Sequence, residues 1–103
     1  MNSQRIVQLC NTLSLDKQIS NGAQSLARLL RVKVPMGLGE AEIGVPAVCI
    51  ALMCASKAVV YDAEKLKVAS ALNDKMWRAT FGKLKSLLGV KYENILYLSL
   101  IHI

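Results

Sequence analysis

The sequence predicts an all-α protein, a bundle of five helices in which the last two form a helix-turn-helix-like pair. Apolar residues recur every three or four positions, as in amphipathic helices, rather than in the alternation typical of strands. An uncharged run at residues 43–55 has the length of a core helix, and a helix that is apolar on every side is expected at the centre of a bundle. A length of 103 residues suits one domain with one core.

The first two helices are amphipathic. Residues 3–15 place apolar side chains at helical spacing between glutamine, asparagine and threonine. Asp16 is a favoured N-cap residue for the second helix, which we expect to run to about Val32. Residues 34–39 then end it, because the residue before a proline disfavours helix and two glycines open conformations with positive φ.

The third helix is predicted over residues 45–59, with Pro46 in its first turn, where the missing N–H leaves no hydrogen bond unmade. A membrane-spanning helix needs about 20 apolar residues. The uncharged run is shorter and Lys57 follows it, so we expect a core helix and no membrane partner.

The fourth helix is predicted over residues 63–72 with Asp62 as its N-cap. Asn73 or Asp74 caps the fifth, which ends at Gly89 as a C′ glycine. At about 100° per residue, the fifth helix gathers its larger apolar side chains on one core face. That face consists of Trp77, Phe81, Leu84 and Leu88, flanked by Thr80 and Leu87.

A second stripe on the fifth helix is basic and consists of Lys75, Arg78, Gly82 and Lys85, with Lys83 further round. A short junction followed by a helix with a basic stripe is the outline of a helix-turn-helix. Thirteen Lys and Arg against seven Asp and Glu give a formal charge of +6, which favours a polyanionic partner. Spacing alone leaves an ordinary solvated helix face as the alternative.

The sequence argues against an enzyme and against a cofactor. The single histidine, His102, stands at the C-terminus, so no Ser/His or Cys/His couple is available in the domain. Gly37 and Gly39 lack the Lys-Ser/Thr of a phosphate loop. Three cysteines in apolar sequence favour reduced, buried thiols, and their spacing fits no zinc site. We therefore expect no catalysis, metal, cofactor or small-molecule substrate.

Three segments carry a family resemblance: LLRVK at residues 29–33, an IGV followed by the small, apolar AVCIAL at 43–52, and KVASALNDKMW followed by LKSLLG at 67–89. In order and spacing, residues 30–90 resemble the origin recognition complex subunit 6 family, which is built on cyclin-box folds like those of transcription factor IIB. The resemblance implies a cyclin-box-like bundle and, here, the first box only.

The resemblance also implies a function: a DNA-binding subunit of the origin recognition complex, which acts in replication initiation and helicase loading in the nucleus. Its implied partners are double-stranded DNA and other subunits of the complex. In the family, the serine and a lysine of an S-G-L-N-K turn are associated with DNA binding. Ser70 keeps the serine, Ala71 replaces the glycine, and Asp74 stands where a lysine is frequent, with Lys75 beside it.

We therefore expect phosphate contacts from five residues: Ser70, Lys75, Arg78, Lys85 and Lys33. The outward stripe lacks an Asn or Gln pair that could read bases, so binding is expected to be largely independent of sequence. Two alternatives stay open. One is a cyclin-box module that binds proteins, and the other is a transcription factor IIB-like adaptor without DNA contact by this box, although ribbon cysteines expected ahead of such a box are missing.

The domain organisation follows from the resemblance. Residues 1–91 are expected to form the cyclin-box-like domain, and residues 92–97 to begin the connection to a second box that this chain lacks. Residues 98–103, LSLIHI, are similar to the in-frame translation of a transposase adapter used in sequencing libraries (CTGTCTCTTATACACATC), so we expect a non-native tail. The alternative is an ordinary apolar strand or helix start.

Overall fold

The chain folds around one central helix. A computed structural model describes residues 2–57 and 59–89, so the predicted connection (92–97) and tail (98–103) lie outside the described residues. The described part contains five α-helices and one 3-10 helix: α1 Asn2–Thr12, α2 Lys17–Lys33, the 3-10 helix Gly39–Gly44, α3 Val45–Ser56, α4 Ala63–Ser70 and α5 Asp74–Leu88. The prediction of an all-α bundle of five helices is confirmed.

The helices begin where the capping residues predict. The side chain of Asp16 accepts a hydrogen bond from Gln18 N–H at the start of α2. Asp62 accepts one from Lys65 N–H (3.1 Å) at the start of α4. At α5 the cap is Asn73, whose Oδ1 accepts from the backbone N–H of the third helical residue at 2.8 Å, which decides between the two candidate caps.

Three helices end earlier than the apolar pattern predicts. Helix α1 stops at Thr12 because Ser14 takes φ 56°, and α4 stops at Ser70 because Ala71 takes φ 62°, both in the left-handed region. Helix α3 stops at Ser56 rather than at residue 59, and Val59 N–H folds back to the Cys54 carbonyl at 2.8 Å. The predicted end of α5 is confirmed by Gly89 in the left-handed region.

Helix α3 lies at the centre of the hydrophobic core. All of its residues except Met53 and Ser56 are buried, and α1, α2, α4 and α5 pack around it. The stretch Gly39–Ser56 is long and apolar enough to cross a membrane, with a mean hydropathy of 1.4, yet 61% of it is buried inside the fold. Such burial is typical of a core helix, which is what the uncharged run predicts.

The 3-10 helix before α3 was not predicted, and it connects the core to the turn between α4 and α5. Gly44 is its buried last residue. A Cβ atom there would collide with the side chain of Leu72, so only glycine lets Leu72 pack this closely. The turn that follows α4 is therefore held against the start of α3.

All three cysteines are free and buried, in agreement with the interpretation of them as structural thiols. Burial raises the pKa of Cys49 to about 12, and the nearby Glu42 carboxylate adds to the effect. Burial also raises the pKa of Cys54 to about 12. At neutral pH these thiols are protonated and behave as small apolar side chains.

The core face of α5 differs in detail from the predicted one. Thr80, Leu84 and Leu88 are its buried residues. Trp77 and Phe81 are only partly buried and lie side by side, with ring centroids 6.3 Å apart and a tilt of 39°. Thr80 is the buried residue in the first two turns of α5, and its short side chain lets the helix pack closely on the core. The rings of Trp77 and Phe81 cover the edge of this contact.

The conformation of Ala71 yields a prediction. A residue with a Cβ in the left-handed region costs about 1 kcal/mol relative to glycine. We expect Ala71→Gly to raise the free energy of unfolding by about that amount in urea titrations. The matched control is Ala69→Gly, two residues earlier inside α4, which should lower it by about 1 kcal/mol. A loss of stability in both variants would contradict the prediction.

Candidate nucleic-acid interface

The turn between α4 and α5 is organised by Ser70. Its side chain is 1% exposed, and its Oγ–H donates to the Lys67 carbonyl. The same oxygen accepts from Leu72 N–H at 3.1 Å. Both hydrogen bonds lie within the turn, so the hydroxyl closes the end of α4 and points away from solvent. Its predicted contact with DNA stays a prediction, and it requires the hydroxyl to leave this position.

An ion-pair network joins the two helices across that turn. The Lys67 ammonium lies 3.3 Å from Glu64 Oε2, one turn earlier on α4, and also pairs with the Asp74 carboxylate at the start of α5. Hydrogen bonding to Asp74, and then to Glu64, raises the pKa of Lys67. The same contact with Lys67 lowers the pKa of Asp74. The Asp74 carboxylate at the start of α5 is therefore paired within the protein, although it shares Lys67 with Glu64.

Helix α5 presents a basic surface, which we call the α5 basic face: Lys75, Arg78, Lys83 and Lys85. The first three are exposed, whereas Lys85 is partly buried and takes part in an interaction within the fold. Between these cations the surface carries only small exposed residues, Ala79, Gly82 and Ser86. A Cβ at Gly82 would meet nothing within 4 Å. A polyanion could therefore approach the helix closely while the long cationic side chains reach it from both sides.

The structure brings only part of the predicted site together. Lys75, Arg78 and Lys85 share α5, as the periodicity predicts. Lys33 is exposed, but it is the last residue of α2 and belongs to another element. Among the described residues there is no group of His, Cys, Asp or Glu that could hold a metal ion.

Lys67 is a residue that the sequence analysis missed. Its pairing with Glu64 is readable from the three-residue spacing on one helix. Its pairing with Asp74 spans seven residues and two helices, so it depends on the geometry of the turn. No periodicity rule predicts such a contact, because the left-handed Ala71 interrupts the helix between the two residues.

Comparison with known proteins gives two matches. The family model described as Origin recognition complex subunit 6 matches residues 6–92. A curated relative, Origin recognition complex subunit 6 of Dictyostelium discoideum, is 33% identical over 87 residues, which are 84% of this chain and 19% of the relative. The chain thus spans about a fifth of the length of the curated relative that it matches. No solved structure matches.

The geometry of Ser70 predicts a structural effect on substitution. Ser70→Ala leaves Leu72 N–H buried without its acceptor, so we expect a loss of about 1 to 3 kcal/mol in the free energy of unfolding. The control is Ser25→Ala on α2, which removes a hydroxyl that donates to Asn21 C=O at an exposed site and should cost under about 0.5 kcal/mol. Equal, small losses in both variants would show that the turn does not depend on this hydroxyl.

Proposed function

The chain belongs to the Origin recognition complex subunit 6 family, and we propose that it binds duplex DNA through the α5 basic face during the initiation of DNA replication. The match covers residues 6–92, which confirms the resemblance drawn on residues 30–90 and extends it over α1 and α2. In the proposed role, the protein acts in the nucleus with other subunits of the complex, helps it hold origin DNA, and contributes to helicase loading without catalysis or a cofactor of its own.

The observation that carries the proposal is the distribution of charge on α5. Lys75, Arg78 and Lys83 are exposed, and the one acidic residue of the helix, Asp74, is paired with Lys67. Asp74 also lies within electrostatic reach of Arg78, so the cations beyond the first turn of α5 are the ones without an acid on the helix. Such cations neutralise phosphates and release the counterions condensed on DNA. A solvated surface that serves only solubility is expected to intersperse the two signs of charge. On α5 the basic residues are separated from acidic ones beyond the first turn. This distribution favours a surface that binds a polyanion over one that serves only solubility.

The same surface supports binding that does not depend on base sequence. Direct reading of bases in the major groove uses bidentate side chains such as Asn and Gln to adenine, or Arg to guanine. The small residues Ala79, Gly82 and Ser86 lie between the cations of α5, and no Asn or Gln occurs within the helix. The helix therefore offers no bidentate partner for adenine. We assign Lys75 and Arg78 to phosphate rather than guanine, which predicts equal affinity for duplexes of unrelated sequence, and Ser70 contributes by holding the turn that orients them.

The phosphate contacts can be counted by their dependence on salt. Each phosphate neutralised on B-DNA adds about −0.9 to the slope of log K against log salt. We expect the double variant Lys75→Gln and Arg78→Gln to bind duplex DNA more weakly and with a slope smaller in magnitude by about two, measured by fluorescence anisotropy across a salt series. Two duplexes of equal length and unrelated sequence should bind the unaltered chain with equal affinity.

The matched control for this experiment is Arg5→Gln with Lys17→Gln, which removes the same charge from exposed positions on α1 and at the start of α2. Its slope should stay close to that of the unaltered chain. An unchanged slope in the Lys75 and Arg78 variant rejects DNA binding by this face. Equal flattening in both variants assigns the effect to net charge.

Replacing Asp74 by a cation is predicted to strengthen DNA binding, the opposite of the effect expected for Lys75 and Arg78. Asp74→Lys removes the acid that occupies Lys67 and adds a cation at the first residue of α5. We expect tighter binding to duplex DNA and a salt slope steeper by about one, because the new lysine can neutralise one further phosphate while Lys67 keeps Glu64 as its partner. Loss of the acid at a helix N-terminus should also lower stability by about 0.3 to 1 kcal/mol.

The control is Glu40→Lys, which makes the same change of charge at an exposed position in the 3-10 helix, outside α5. It should leave the salt slope nearly unchanged. If Asp74→Lys binds no more tightly than Glu40→Lys, the start of α5 does not face the phosphates. Asp74→Asn separates the loss of the acid from the gain of a cation, since it removes the carboxylate without adding a positive charge.

A further inference from the structure

A groove lies between α1 and α4, on a different pair of helices from the α5 basic face. Its volume is about 340 Å³, within the range of about 300 to 1,000 Å³ typical of ligand-binding clefts. Its walls are formed by Leu9 and Leu13 from α1 and the segment after it, and by Val68 and Ala69 from α4. A cavity of this size, lined by aliphatic side chains, can take one or two side chains of a partner.

The groove follows from the way the bundle is built. Helices α1 and α4 each pack against α3 but make few contacts with each other. The space between them is therefore left open. Leu9 turns inward and is buried, whereas Val68 stays 70% exposed at the rim. Val68 therefore extends the apolar lining of the groove to the surface of the domain.

The charges at the rim differ in their availability. The Glu64 carboxylate is already engaged by Lys67 at 3.3 Å. Lys65 is exposed, and within residues 2–57 and 59–89 its ammonium has no acidic partner. The groove thus combines an aliphatic floor with one available cation, which is complementary to an apolar side chain that has a carboxylate next to it.

We propose that the groove between α1 and α4 docks a short segment of another protein, which inserts an apolar side chain between Leu13 and Val68 and places an Asp or Glu against Lys65. Duplex DNA does not fit this site, because a phosphate backbone gains nothing from aliphatic walls and meets one cation only. The docking surface is separate from the α5 basic face, so one domain can hold DNA and a protein partner together.

The test uses two amphipathic peptides, with leucines at positions i and i+4 and either glutamate or lysine beside them. Each is titrated into the isotopically labelled chain and followed by the backbone amide resonances in NMR. We expect the glutamate peptide to shift the resonances of Leu13 and Val68, and to bind about fivefold more tightly than the lysine peptide, as one exposed ion pair allows. Equal binding of both peptides, or shifts elsewhere, overturns the proposal.

Substitutions locate the site. Val68→Glu places a charge on the aliphatic wall and should weaken the glutamate peptide about tenfold or more. Val60→Glu is the matched control, because Val60 is 76% exposed and does not line the groove. This variant should bind the glutamate peptide with unchanged affinity. Lys65→Glu should lower the affinity for the glutamate peptide about fivefold. Val68→Gln replaces Val68→Glu if circular dichroism shows that the charged variant is unfolded.

Other occupants give distinct results. If the Leu13 and Val68 resonances shift with the concentration of the chain alone, and sedimentation shows a dimer, the groove binds a second copy and the proposal is wrong. If duplex DNA shifts those resonances, the groove belongs to the DNA surface and the proposal is again wrong. DNA that shifts only α5 resonances, together with peptide that shifts only the groove, supports two separate surfaces.

Discussion

The burial of α3 on every side is the constraint on which the rest of the structure depends. A helix such as Val45–Ser56, without a single charge, has no face that water solvates well, so other helices must cover it completely. Each covering helix needs only one apolar stripe for this purpose. Helix α5 uses Thr80, Leu84 and Leu88, which leaves its outer side open to lysine and arginine. The candidate DNA surface is thus a consequence of how the core is covered.

The turn between α4 and α5 fixes the orientation of α5 on that core. Gly44 at the end of the 3-10 helix lets Leu72 pack against the entrance to α3. Ser70 closes α4 from inside, and Asn73 opens α5 by accepting a hydrogen bond at 2.8 Å. Ala71 between them is left-handed, a conformation that glycine adopts without strain. The buried serine beside it is explained by the hydrogen bonds of the turn.

Local sequence signals predicted the elements well, because periodicity and caps act over one or two turns. Asp16, Asp62 and Gly89 each mark a helix end that the structure confirms. Contacts that depend on several elements were not predictable in the same way. The burial of Ser70 and the pairing of Lys67 with Asp74 both arise from the turn, and the groove arises from a gap between two helices that are distant in sequence. Spacing placed the stripe of α5 on one helix face, but it did not predict that Asp74, the acid of that helix, pairs with Lys67 on α4.

The pairing of Asp74 decides which part of α5 is available to a polyanion. A helix N-terminus attracts anions because its first N–H groups are unpaired and the dipole is positive there. Here Asn73 satisfies one of those groups, and the Asp74 carboxylate supplies an internal anion at the first turn. Lys67 in turn is held by Glu64 and Asp74. Two carboxylates therefore share one lysine at the start of α5, so attraction for phosphate depends on the side-chain cations Lys75 and Arg78 rather than on the helix dipole.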